Sequence, residues 1–226
     1  EALGGVVNDY YLIAVAGTHG KTTTTAMLTD ILEEASYDPT VIVGSLRSKT
    51  GSNYRPGQGK YAVVEACEYK RDFLHLQPDV LVITNLELEH VDYYQDLADV
   101  QAAFRSLAEI VPEDGYVIAD TSDPNVAPVV EGLVCQVVDY REGLDLQLQL
   151  TQPGLHNRRN AAAATAAAAS VDVAWWRAFA DPVLDRLIDR AVTGNLDLAV
   201  AAARIEEFGA RVGIVGAARW PQVGYQ

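Results

Sequence analysis

The segment Ala16-Gly17-Thr18-His19-Gly20-Lys21-Thr22-Thr23 holds the residue types that grip a polyphosphate. Glycines let a backbone curl so that several N–H groups face one anion. A helix opening at the same point adds partial positive charge. Lys21 can reach the β- and γ-phosphates of a nucleotide, and the Thr22 hydroxyl can sit on Mg2+. The general phosphate-loop pattern opens on a glycine where this chain has Val15. A plain helix start with a glycine turn and threonine caps would use the same residues. Carboxylates follow in Val63-Val64-Glu65-Ala66-Cys67-Glu68. Hard oxygen ligands suit Mg2+, and Glu65 ends an apolar run where a metal ligand would serve the phosphates. Glu68 reads as a solvated loop acid.

These residues need elements to position them. Tyr11 to Ala16 is an apolar run ending at Gly17, as a buried parallel strand does. Lys21 to Glu34 reads as a helix with Ala26, Leu28, Ile31 and Leu32 on its apolar face. Further strands are expected at 41–43, 61–65, 80–84, 116–119 and 134–138. Helices are expected at 99–110 and near 124–131. This alternation predicts an α/β fold with a mostly parallel sheet, flanking helices and a phosphate loop. Ligands on such sheets bind beyond the carboxyl ends of the strands. The chemistry is therefore expected just after Ala16, Val64 and Ile83. Strict alternation over Leu146–Leu150 suggests a half-exposed strand, and the alanine run 161–169 a helix packed closely on the sheet.

The form Gly17-Thr18-His19-Gly20-Lys21-Thr22-Thr23-Thr24-Thr25 resembles the Mur ligase family. The resemblance runs, with gaps, from about residue 3 to about residue 170. It corresponds to the central, ATP-binding domain of a three-domain enzyme, so 1–170 is expected to be that domain, incomplete, and 171–226 a helical tail. In the family the acidic motif reads Glu-Ala-Asp-Glu and its first Glu ligates Mg2+, a role that falls to Glu65. Cys67 stands where Asp is usual. Thr84-Asn85-Leu86-Glu87-Leu88-Glu89-His90 resembles a family motif whose His binds a metal, which implies that role for His90. Glu89 replaces an Asp there, and Asn85 is expected to order the loop or the site, as one of the cofactor-binding residues. Thr22, Glu65 and His90 thus form the implied metal set. Gly154-Leu155-His156-Asn157-Arg158-Arg159-Asn160 resembles the adenine motif, which implies contacts from His156 and Asn157 with Asn160 in support. An Asn side chain can donate to and accept from a purine edge at once. Phe73-Leu74-His75-Leu76-Gln77-Pro78 is similar to the family as well, with His75 either structural or a peripheral substrate contact.

The resemblance implies a two-step ligation. A substrate carboxylate attacks the γ-phosphate of ATP, and an amine then attacks the acyl phosphate. Lys21, Glu65 and His90 are the implied catalytic residues, stabilising the transferred phosphoryl group and placing Mg2+. His19 before the second glycine is typical of the branch that joins L-alanine to UDP-N-acetylmuramate in peptidoglycan precursor synthesis. It is typical of the related murein peptide ligases too, and that alternative stays open.

Composition limits the rest. Acidic residues outnumber basic ones 31 to 17, a net charge of −14, which argues against a nucleic-acid partner. No apolar run is long enough to span a membrane over 1–170. Cys67 and Cys135 are too few for a disulfide framework. The start Glu1-Ala2-Leu3-Gly4-Gly5 has no initiator Met and no signal-peptide character, as expected for a cytoplasmic protein given as a fragment. The tail differs in kind. All three tryptophans, Trp175, Trp176 and Trp220, lie in it. Residues from about 174 to 224 resemble the N-terminal part of TolC-like outer-membrane efflux proteins, which work as trimers. The expectation is a fusion of two gene fragments, nonfunctional or an efflux fragment in the extreme case. A helical pair that merely caps the sheet is the alternative.

Overall fold

Apolar runs become the central strands of one sheet. The computed structural model describes residues 2–47, 49–144, 150 and 154–171. A short helix α1 (Gly4–Val7) leads into β1 (Tyr11–Ala16), which is buried throughout apart from Tyr11. Then come α2 (Lys21–Glu34), β2 (Thr40–Ile42), β3 (Tyr54–Arg55), β4 (Tyr61–Glu65) and a 3-10 turn at Tyr69–His75. β5 (Val80–Ile83), α3 (Leu97–Ala108), β6 (Tyr116–Ala119), α4 (Ala127–Val130) and β7 (Gln136–Asp139) follow. A second 3-10 turn at Tyr140–Gly143 precedes α5 (Leu155–Ser170). The sheet order is β3-β2-β4-β1-β5-β6-β7. Every neighbouring pair is parallel except β2 and β3.

The fold class is the expected one, and β1, α2, β4 and β6 keep the expected bounds. β3 is an unforeseen antiparallel edge strand, since two residues carry no readable period. α3 starts two residues earlier than expected because the Asp96 carboxylate caps it, accepting the Asp99 N–H at 2.8 Å. β7 begins at Gln136, as Val134 faces solvent outside the ladder. Apart from Leu150, the expected strand over 146–150 lies outside the described residues, as does the tail beyond Val171. No helix among the described residues is long and apolar enough to cross a membrane. Both cysteines are free thiols.

Register brings the chemistry together. Val15 pairs with Glu65, and Ala16 with Ile83. The chain therefore leaves β1, β4 and β5 at one level of one edge. Alternation sends Leu12, Ala14 and Ala16 to one face, against Phe73, Phe104 and Leu107. The Phe73 and Phe104 rings meet edge to face at 5.0 Å. Ile13 and Val15 point to the other face, against Leu28 and Leu32 of α2 and Ala162, Ala163, Ala164 and Ala167 of α5. Alanine lets α5 lie close, because a methyl group is the largest side chain the gap admits. Ala164→Leu is expected to cost about 1–3 kcal/mol by overpacking. Ala169→Leu on the exposed face is expected to be near neutral, and urea denaturation of the two variants separates them.

Candidate functional site

The loop after β1 needs a left-handed backbone twice. Gly17 has φ +130° and Gly20 has φ +84°. A Cβ at Gly17 would strike the Thr84 hydroxyl, and one at Gly20 the Asn160 carboxamide. Both glycines are therefore fixed by dihedral and by space. Gly20 caps α2, so the free N–H groups of that helix open at the loop. Residues after β5 hold the loop in shape. The Thr18 N–H donates to Asn85 O at 3.0 Å, and the His19 N–H to Asn85 Oδ1 at 2.9 Å. Asn85 Nδ2 returns a bond to His19 O at 2.9 Å, as does the Thr84 hydroxyl at 2.6 Å. Asn85 thus bonds to the loop through both its backbone and its carboxamide. The Thr18 hydroxyl accepts the Glu87 N–H at 2.8 Å. The exposed His19 ring has Nε2 3.7 Å from Glu87 and 3.8 Å from Glu89.

Lys21 folds back over this loop. Its Nζ donates to Gly17 O at 2.5 Å, to Thr18 O at 3.0 Å and to Glu68 Oε1 at 3.1 Å. Thr22 turns the other way, and its hydroxyl lies 3.0 Å from both oxygens of Glu65. The Gly44 N–H donates to Glu65 Oε2 at 2.7 Å. Thr22 and Glu65 therefore offer hard oxygens side by side, a donor set that fits Mg2+.

The implied metal set divides into two groups. Glu65 stands with Thr22, while His90 Nε2 lies 3.4 Å from Glu68 Oε1. His90, Glu68 and Glu89 bring ligand atoms within 4.8 Å of one another. Glu68 is no solvated loop acid: it is 4% exposed. The loop after β4 turns inward because the Glu68 carbonyl accepts the buried Tyr94 hydroxyl at 2.6 Å. Burial pushes the Tyr94 phenol up to about 12, so it remains a donor. His90 itself has φ +52°, a left-handed setting uncommon for residues other than glycine.

A cavity of about 610 Å³ opens beside the loop, lined by Thr23, Asn85, His156, Asn157 and Asn160 among others. Asn157 and Asn160 are buried at the start of α5. Sequence reasoning missed Asp120, Tyr140 and Arg159 on the same wall. Asp120 was open to discovery, since it directly follows β6 at the same sheet edge. The Tyr140 hydroxyl donates to Thr84 O at 2.9 Å, with its phenol pushed up to about 12 by burial. His75 lies elsewhere, in a second cavity at the amino ends of β1 and β5 with Asn8 and Asp79.

One charged network outside the site ties the segment that carries Gly44 to α2. Arg47, at the far end of the segment carrying Gly44, donates to Glu33 at 3.0 Å and to Asp30 at 2.7 Å. Lys49 donates to Glu33 at 2.8 Å. Burial pushes the Glu33 carboxyl up, but the hydrogen bonds from Arg47 and Lys49 outweigh it and bring it to about 2. Its folded value lies below the ordinary carboxylate value, so its contribution is complete above about pH 4.5 and disappears towards pH 2. Denaturation across that window should show about 2 kcal/mol of acid-dependent loss that Glu33→Gln removes. Gly17→Ala is expected to cost about 1–3 kcal/mol from backbone strain and collision. Gly5→Ala, which meets nothing within 4 Å in α1, is expected to be neutral or stabilising in the same melts.

Comparison with known proteins gives these features a context. The Mur ligase middle domain model matches residues 15–142. The chain is 39% identical over 203 residues to a UDP-N-acetylmuramate–L-alanine ligase of Salinibacter ruber, covering 78% of this chain and 43% of that protein. It is 43% identical over 139 residues to the enzyme of that name from Caldanaerobacter subterraneus, covering 61% of this chain and 30% of that one. The chain thus spans less than half the length of these relatives. Among solved structures it is similar to a UDP-N-acetylmuramate:L-alanyl-gamma-D-glutamyl-meso-diaminopimelate ligase from Neisseria meningitides. That match has a TM-score of 0.68 at 26% identity, covering 76% of this chain and 65% of that one. The UDP-N-acetylmuramate-alanine ligase of Thermotoga maritima superposes with a TM-score of 0.60 at 26% identity, covering 74% of this chain and 43% of that one. A family model matching more than half of the chain settles its membership: the chain belongs to the Mur ligase family.

Proposed function

We propose that residues 1–170 are the central ATP-binding domain of a ligase that joins L-alanine to UDP-N-acetylmuramate. The observation that carries this reading is the convergence of three features on one sheet edge. They are the phosphate loop with Lys21, the Thr22–Glu65 oxygen pair, and the cavity walled by His156, Asn157 and Asn160. That arrangement suits a nucleotide laid from base to γ-phosphate along the carboxyl ends of β1, β4 and β5. Bound Mg2+ would neutralise charge on the phosphates. Thr22 and Glu65 would hold it, while His90 stands in the second group of ligands, with Glu68 and Glu89. Lys21 and the N–H groups at the start of α2 would stabilise the γ-phosphoryl group as it passes to a substrate carboxylate. His156 and Asn157 would bear on the adenine, with Asn160 fixing the wall against Gly20. The amine that completes the amide would come from L-alanine. ATP chemistry of this kind would suit a cytoplasmic protein. The likeness to the Neisseria ligase supports a second reading, a murein peptide ligase, in which a peptide takes the place of alanine.

Titration of the purified chain with ATP and Mg2+, beside Lys21→Ala, tests the nucleotide part. Saturable binding that weakens about tenfold or more in Lys21→Ala is expected, since one charge-assisted contact to phosphate is lost. A folded protein that does not bind ATP would overturn the reading. Activity of the full-length protein with L-alanine against a peptide as amine donor separates the two ligase assignments.

A further inference from the structure

Glu68 touches both halves of the site and has no role in the reading above. Its side chain is 6% exposed. Both of its oxygens lie 3.1 Å from Lys21 Nζ, but only Oε1 accepts a hydrogen bond. Oε2 is buried without one. On the far side stand His90, 3.4 Å from Oε1, and Glu89. The backbone of Glu68 is fixed, since its carbonyl accepts the Tyr94 hydroxyl and the Arg71 N–H. The carboxylate can therefore turn between two neighbours but cannot leave for solvent.

We propose that Glu68 is a positioning residue that exchanges partners: it holds the Lys21 ammonium until nucleotide phosphate takes it, then turns to a divalent cation beside His90 and Glu89. This rests on the phosphate-loop reading. Lys21 has three donors, and all three are engaged. Two of the acceptors are carbonyls of a loop pinned by Asn85, and only the third is a side chain. A phosphate that claims the ammonium therefore displaces Glu68. Once displaced, Glu68 would lie buried beside Glu89 with no cation to balance it, a costly state. A divalent cation held by Glu68, Glu89 and His90 removes that cost. Phosphate and cation thus each favour the arrangement the other needs, which is reciprocal coupling. Oε2, buried against the same ammonium without a hydrogen bond, is the oxygen that loses its ion-pair neighbour when phosphate takes Lys21.

The test uses the whole chain and two probes, Mn2+ followed by its paramagnetic signal and a fluorescent ADP. Without nucleotide, Lys21→Ala is expected to bind Mn2+ about tenfold tighter than the unmodified chain, because Glu68 is released to the cation. The double variant Lys21→Ala, Glu68→Gln should lose that gain. In EDTA, Glu68→Gln is expected to bind fluorescent ADP about tenfold tighter, because phosphate no longer competes with a carboxylate. With Mn2+ present, the same variant should lose most of the cation's benefit. A purely structural role would weaken ADP binding equally in both conditions, and that result would overturn the proposal. Unchanged Mn2+ affinity in Lys21→Ala would overturn it too, and decides the matter if Glu68→Gln does not fold. Absence of ADP binding by the unmodified chain would instead strike at the nucleotide reading, while the nucleotide-free Mn2+ result still tests Glu68.

Discussion

A nearly buried ammonium must find three acceptors, and much of this site follows from how Lys21 finds them. Two are carbonyls of its own loop, which can turn inward only because Gly17 and Gly20 adopt positive φ. Asn85 takes the Thr18 and His19 N–H groups, so the donors left for an anion are those at the open start of α2. The conformation that satisfies the lysine is thus the one that presents donors to an anion. The third acceptor, Glu68, comes from the loop after β4, so the lysine also ties that loop to the start of α2.

The sheet makes this economical. β1 lies between β4 and β5, and the paired ends of the three strands release their loops at one level. β4 delivers Glu65 and Glu68, and β5 delivers Thr84, Asn85 and the segment to His90. The alanine face of α5 then lets a fourth element come near enough for Asn160 to back Gly20. A larger side chain at Ala163 or Ala164 would push that helix out and move the cavity wall with it. The low-complexity run is a packing requirement with a consequence at the site.

What could be read from the residues follows from where their signals reside. Buried parallel strands are continuous apolar runs, so 11–16, 61–65 and 116–119 were legible to the residue. The phosphate loop was legible because its glycines and lysine are contiguous. The two-residue β3 carries no period, and the two-residue shift of α3 depended on a cap at Asp96. The burial of Glu68 was hidden for a different reason. It depends on Tyr94, twenty-six residues away, and on Lys21, forty-seven away. A carboxylate in a loop looks solvated until its long-range partners are known. The same limit applies to the grouping of His90 with Glu68 and Glu89, since spacing along the chain does not say which strand-end acids meet.

Charge gives the last constraint. Glu65, Glu68, Glu87 and Glu89 stand about the loop with Lys21, and Arg159 lines the cavity beside it. The chain as a whole carries −14. A polyphosphate entering here meets carboxylates at close range, in partly buried surroundings where water screens poorly. One ammonium already shared with Glu68 does not offset both. The start of α2 supplies partial charge only. On the proposed reading, added cations would supply the remainder, and the acids that repel the anion would be the ligands that recruit them. The acidity that argues against nucleic acid would therefore suit a nucleotide that arrives with its metal, and on that reading the acids that crowd the loop would be ligands rather than obstacles.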